Sequence, residues 1–205
     1  MTKRVKLLWV MGAILLAVGG AALASNMGFK FVPNIATADP DIYEISIPLN
    51  NNYTDLASIF NDINASAGCS AAGVTVFAPD QSQCSWTGSF SCNQAYTAGT
   101  GVRVSTYGTC TGWVIVGSHN PSFAFSFGLA DPNIYDVSLP YHTTKTDLAG
   151  LYTEIPNAAG VTKINPDQSL CSWTGAFSCN TTITIGEAYR VSVTVAGTTW
   201  TPSHY

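Results

Sequence analysis

Apolar and polar residues alternate with a period of two along most of the chain. Phe29 and Phe31 flank a lysine, Ile42-Tyr43-Glu44-Ile45-Ser46-Ile47 keeps the rhythm, and it returns in 73–77, in Phe123-Ala124-Phe125-Ser126-Phe127 and in 189–195. A strand turns successive side chains to opposite faces. Such runs, rich in Val, Ile, Thr and aromatic residues and bounded by Gly, Pro and Asn, therefore predict strands. A helical period appears in two places. Leu56, Ile59, Phe60 and Ile63, and later Leu148, Leu151, Tyr152 and Ile155, recur at three- and four-residue spacing behind Thr54-Asp55 and Thr146-Asp147. The spacing predicts two short helices with Thr54 and Thr146 as N-caps, and the neighbouring acids suit the positive end of a helix.

Laid against itself, the chain repeats. Asp39 to Pro48 returns as Asp131 to Pro140, and Thr54-Asp55-Leu56-Ala57 as Thr146-Asp147-Leu148-Ala149, both 92 positions on. Pro79-Asp80-Gln81-Ser82 returns as Pro166-Asp167-Gln168-Ser169, and Cys84 to Asn93 matches Cys171 to Asn180 at nine of ten positions, now at an offset of 87. Arg103-Val104-Ser105 and Trp113 keep that offset, while Ser118-His119 and Ser203-His204 lie 85 apart. Order is kept and only loop lengths change, as expected of a duplicated folded unit. The expected fold is mainly β with one short helix per repeat, in two tandem sandwich-like or sheet-plus-helix modules, residues 25–128 and 129–205.

The repeat also bears on the six cysteines, which alone allow fifteen pairings. Cys84 and Cys92 have counterparts in Cys171 and Cys179, whereas Cys69 and Cys110 have none and fall where the first copy is longer. Treating both copies alike gives Cys84–Cys92, Cys171–Cys179 and Cys69–Cys110. Modules of about 90 residues sit near the size at which a core alone is marginal, so such staples matter.

Residues 1–24 place Lys3, Arg4 and Lys6 before an uncharged run that ends Ala22-Leu23-Ala24. This is the order of a cleavable secretory signal, with cleavage expected after Ala24. The run is also long enough to span a bilayer if uncleaved, the one membrane contact expected. Without it the chain keeps five basic and twelve acidic residues, a net charge of −7. The five cations (Lys30, Arg103, Lys145, Lys163 and Arg190) are scattered, which argues against nucleic acid and anionic membranes as partners. A secreted, extracellular or cell-surface location is expected, with the periplasm as an alternative.

Candidate chemistry is sparse. Gly-x-Ser-x-Gly, His-Glu-x-x-His, Cys-x-x-Cys and phosphate-loop patterns are absent, so neither an enzyme nor a bound cofactor or metal is expected. His119 and His204 hold equivalent places, as a repeated metal or proton site or as backbone ties, and His142 has no counterpart. Trp86 and Trp173 lie inside the cysteine loops, where they either pack on the bridge or form an exposed platform for a sugar polymer. Asp39, Asp41, Glu44, Asp131 and Asp136 either bind calcium between modules or serve turns and caps. Finally, Ser25 to Phe31 resembles the 121–127 segment. Either this strand opens each repeat, or Met27, Phe29 and Phe31 form an assembly strand that completes the second copy of a neighbouring chain.

Certain motifs recur in order: Ile45-Ser46-Ile47-Pro48 and Val137-Ser138-Leu139-Pro140, then Tyr53-Thr54-Asp55-Leu56 and Lys145-Thr146-Asp147-Leu148, then Gly73-Val74-Thr75. They close with Gly99-Thr100-Gly101-Val102-Arg103-Val104 and Gly186-Glu187-Ala188-Tyr189-Arg190-Val191. This order resembles β-rich repeat modules of exported bacterial surface proteins, in which a Ser-Leu-Pro strand precedes a Gly-x-Gly-Tyr-x-Val strand. Gly101-Val102 lacks the tyrosine and Ala188 replaces the second glycine. The resemblance implies a secreted or surface protein and supplies no catalytic residues. The sequence thus leads to a structural or interaction protein, whose partner is itself, as a homopolymer, or an extracellular polysaccharide or protein. The alternatives are a carbohydrate- or matrix-binding module and, third, a secreted enzyme of unrecognised type.

Overall fold

The computed structural model describes residues 29–36, 42–89, 92–120, 123–128, 133–176 and 179–204. Residues 1–24, where a secretory signal is expected, and Met27, Asp39, Asp41 and Asp131 lie outside them. The chain is mainly β, with several sheets and two helices among the described residues. The first half runs β1 (Phe29–Phe31), β2 (Ile42–Ile45), α1 (Leu56–Ala65), β3 (Ala71–Phe77), β4 (Gln83–Trp86), β5 (Val102–Thr106) and β6 (Ile115–Gly117). The second half keeps that order: β7 (Phe125–Phe127), β8 (Tyr135–Ser138), α2 (Leu148–Glu154), β9 (Ala158–Ile164), β10 (Leu170–Trp173), β11 (Ala188–Val193) and β12 (Thr198–Trp200).

Each half builds a four-stranded antiparallel sheet, β2-β5-β3-β4 or β8-β11-β9-β10, and a two-stranded ribbon, β1-β6 or β7-β12. The helix of each half packs on its longest strand, β3 or β9. There are two apolar cores. Leu56, Ile59 and Ile63 of α1 join Val74, Val104 and Trp113 in the first, and Leu148 and Leu151 of α2 join Val161, Val191 and Trp200 in the second. Burying an aliphatic side chain of this kind stabilises by roughly 1.5–3 kcal/mol.

Three points differ from the sequence reading. The N-caps are Asp55 and Asp147, one residue later than Thr54 and Thr146. Their carboxylates accept from the third backbone N–H of each helix, Ser58 N at 2.8 Å and Gly150 N at 2.7 Å. The division between halves falls between Asn120 and Phe123 rather than after 128, because β7 pairs with β12 and Phe127 is buried in the second core. For the same reason β1 is not a free assembly strand: Phe29, Lys30 and Phe31 pair with Gly117, Val116 and Ile115 of the same chain, and β7 takes the equivalent place in the second half.

The disulfides join Cys69 to Cys110, Cys84 to Cys92 and Cys171 to Cys179. These are the pairs the repeat singles out. Each short bridge leads directly into an asparagine that braces a helix start. Asn93 Oδ1 accepts from Ala57 N at 3.0 Å while its amide donates to Asp55 Oδ2 at 3.1 Å. Asn180 does the same for Ala149 N, at 3.0 Å, and Asp147 Oδ2, at 3.3 Å.

Candidate functional site

The two halves meet along a seam in which contacts come in equivalent pairs. Ser46 N donates to Gly186 O at 2.8 Å, and Ser138 N to Gly99 O at 2.8 Å. Ile45 bridges Glu187 as Val137 bridges Thr100. Gln81 Nε2 donates to Ile134 O and Gln168 Nε2 to Ile42 O, both at 3.4 Å. Contacts that run from the first half to the second and return between the equivalent residues define an approximate two-fold relation, the pattern of an isologous interface. The Ser-Leu-Pro-like strand end of one half thus docks on the glycine that starts the Arg-bearing strand of the other. Gly99 and Gly186 both have φ near +90° or above, +99° and +90°. Glycine adopts that backbone freely, and aromatic rings stand against both residues.

Within the seam lies a four-charge cluster whose two carboxylates are buried and whose two arginines are half-buried. Glu44 and Arg103 are direct cross-strand partners, as are Asp136 and Arg190. Arg103 grips Glu44 Oε1 through NH2 at 2.5 Å and Nε at 2.7 Å. Arg190 Nε holds Asp136 Oδ1 at 3.0 Å and reaches across to Glu44 Oε1 at 3.8 Å. Both guanidinium groups lie over the Phe77 ring, at 4.5 and 5.1 Å from its centre. Glu44 Oε2 and Asp136 Oδ2 are buried without a hydrogen-bond partner. Burial pushes the Asp136 carboxyl up to about 6 against the pull of Arg190, and the nearby Glu44 charge pushes the same way. Glu44 and Asp136 therefore face arginines, which leaves them poorly suited to calcium.

Two cavities flank the cluster at equivalent positions. One, of about 400 Å³, is lined by Phe31, Tyr43, Glu44, Ile164, Thr184 and Glu187 among others; the other, of about 180 Å³, by Phe77, Thr100, Phe127, Tyr135 and Asp136 among others. Phe77 stands where the other half has Ile164, and the bulkier ring accompanies the smaller space.

The seam also gathers all three histidines of the chain. The His119 ring lies 5.9 Å from that of His142 and 5.5 Å from that of His204, centre to centre. Phe29 and Tyr141 pack against them: Phe29 is 6.4 Å from His119 and 5.6 Å from His142, and Tyr141 is 5.0 Å from His142. His204 Nδ1 lies 3.0 Å from Pro202 O. Burial, then the charges of His204 and His142, hold the His119 ring below the usual histidine range. Sequence reasoning set His142 aside because the first half carries Asn50 in its place. Only the fold brings it to the other two.

Trp86 and Trp173 are half-buried and packed against the two cores, so neither offers an open platform. Trp113 and Trp200, which the repeat aligns without pointing to any contact, make a repeated polar contact. Trp113 Nε1 donates to Asp62 Oδ2 at 2.9 Å, and Trp200 Nε1 to Glu154 Oε1 at 3.1 Å. The signal for it was present, since Asp62 and Glu154 lie 92 apart, as Tyr53 and Lys145 do. Tyr53 hydrogen-bonds Asp62, and Lys145 pairs with Glu154 at 3.0 Å.

Among the described residues no group of three or more His, Cys, Asp or Glu side chains is placed so that it could hold a metal ion, and no helix is long and apolar enough to cross a membrane. Three disulfides fit an oxidising, extracellular-type compartment. Compared with protein-family models, with curated proteins and with solved structures, the chain matches none.

Proposed function

We propose that the chain is an exported structural or interaction protein, made of a duplicated sheet-plus-helix module whose two copies are locked together through their common face. The observation that carries this reading is the reciprocity of the seam: Ser46 to Gly186 answers Ser138 to Gly99. A surface used in this way is consumed by the chain itself. The outer faces and the strands β4 and β10, at the far edges of the four-stranded sheets, are left for partners. Its work is to present those faces outside the cell, to further copies of itself or to an extracellular protein or polysaccharide, without catalysis.

Fractionation of the native source, with mass measurement before and after reduction, tests this. The reading expects an exported protein that lacks residues 1–24 and has no free thiol. It further expects an assembly, or retention on an extracellular polymer, that changes when surface residues of β4 and β10 are altered. Free thiols in protein from the cytoplasm would overturn it.

A further inference from the structure

We propose that the larger cavity at the seam binds a small uncharged ring compound that carries a hydroxyl donor, an aromatic alcohol in the simplest case. The site goes beyond the structural role above and does not depend on which partner the outer faces take.

The two halves build its walls together. Phe31, Tyr43 and Glu44 come from the first, and Ile164, Thr184 and Glu187 from the second. The Phe31 ring is seated on Gly186, where any Cβ would run into it, so that wall is fixed. Ligand sites are concave and largely apolar, with a few convergent polar groups. A volume of about 400 Å³ matches roughly a dozen waters at ~30 Å³ each, or one fused-ring compound of similar bulk. Thr184, an exposed residue of the lining, marks the way in from solvent.

Two observations select the ligand. The Glu44 side chain is only 3% exposed, and its Oε1 faces both arginines while Oε2 has no hydrogen-bond partner. An ionised carboxylate accepts and never donates, and leaving such an oxygen unmatched is costly, so the group that enters has to bring an O–H or N–H. The second observation is the balance of charge. Glu44, Asp136 and Glu187 are matched one for one by Arg103, Arg190 and Lys163. A charged ligand would lose its hydration without meeting a charge in excess. A neutral donor satisfies both conditions, and Phe31 and Tyr43 offer aromatic surface to its ring.

The other half supplies an internal control. At the equivalent place Phe77 replaces Ile164, Thr100 replaces Glu187, and Asp136 replaces Glu44 with a side chain one methylene shorter. Only about 180 Å³ remains there. One ligand per chain is therefore expected despite the two-fold relation.

The test is calorimetric titration of the oxidised full chain with naphthol, naphthalene, naphthoate and naphthylmethylamine, with amide NMR shifts to locate the site. Naphthol should bind once per chain, shift the amides of Phe31, Glu44 and Thr184, and raise the unfolding temperature, as a ligand of the native state does. Naphthalene lacks the donor and should bind roughly 10–100-fold more weakly. The anionic and cationic probes should also bind more weakly than naphthol. Ile164→Phe installs the residue that the other half carries and should abolish binding while the unfolding transition stays cooperative. Absence of saturable naphthol binding would overturn the site and leave the cavity to solvent. Shifts confined to other residues, or full binding by a folded Ile164→Phe protein, would do the same. Naphthalene or a charged probe binding as tightly as naphthol would overturn the ligand class. If Ile164→Phe does not fold, the amide shifts of the parent decide the location.

Discussion

Single residues at the seam set how stability responds to pH. Asp136 is the informative one, because its carboxyl is raised to about 6 while unfolded aspartates titrate near 4. A group raised in this way contributes its stability in full below the unfolded value and loses it as pH rises through the folded value. The groups facing it are Arg190, Arg103 and Glu44. Asp55 behaves in the opposite sense, since the Ser58 backbone N–H holds it low, so its contribution is lost as pH falls. Urea unfolding of the parent and of Asp136→Asn across pH 3.5–8 separates the two. The difference in stability should favour the parent most at and below about pH 4, decline through about 6, and stay flat above, with a total change of about 3 kcal/mol. A flat difference would show that Asp136 is not desolvated. None of this was legible in the sequence. Glu44 and Asp136 read as turn or calcium residues, because the arginine that crosses the seam lies 146 positions from Glu44.

At the scale of elements the sequence was far more informative. Period-two alternation marked the strands because each sheet buries one face on a helix and core. The apolar spacing marked both helices for the same reason. The cap position slipped by one residue because two candidates stood side by side, and a carboxylate that accepts the third N–H competes better than a threonine hydroxyl. α1 closes a full capping box, with Ser58 Oγ taking the Asp55 N–H at 3.2 Å; α2 has Gly150 at that position and lacks the reciprocal bond. Gly150→Ser should therefore stabilise the second half by about 0.5–1 kcal/mol, by supplying the bond and removing a helical glycine. Chemical denaturation reads this directly, and a destabilised variant would mean that the tight approach to Asp147 Oδ1, 3.1 Å from a built Cβ, outweighs the gain.

The bridges offer a second comparison. Chain entropy predicts a loss of roughly 4 kcal/mol when Cys69–Cys110, which spans 41 residues, is replaced by serines, against about 2.5 kcal/mol for either clasp spanning 8. The clasps hold Asn93 and Asn180 on the helix starts. Their removal should therefore also speed amide exchange in the first turns of α1 and α2, whereas loss of Cys69–Cys110 should leave those turns unchanged.

For the whole molecule, self-comparison of the sequence was enough to infer two equivalent halves but not how they meet. The seam is made of contacts between residues that share no local pattern, and even the boundary was misplaced. Phe125-Ser126-Phe127 follows the first half without a break in rhythm, and its partner strand β12 lies some 70 residues on. One departure from the expected Gly-x-Gly-Tyr-x-Val pattern turns out to record the packing. Gly101 and Ala188 are equivalent residues that face each other, and a Cβ added to Gly101 would stand 2.6 Å from the Ala188 Cβ and 3.0 Å from that of Asp136. The space holds one methyl group and not two. Gly101→Ala should cost about 1–3 kcal/mol through overpacking at the seam. Ala188→Gly in the same chain should restore part of the loss by moving the methyl to the other side. The double-mutant cycle then yields a coupling well above the few tenths of a kcal/mol seen between independent sites. If the two substitutions add instead, the halves do not meet at this point, and the two-fold relation fails with it.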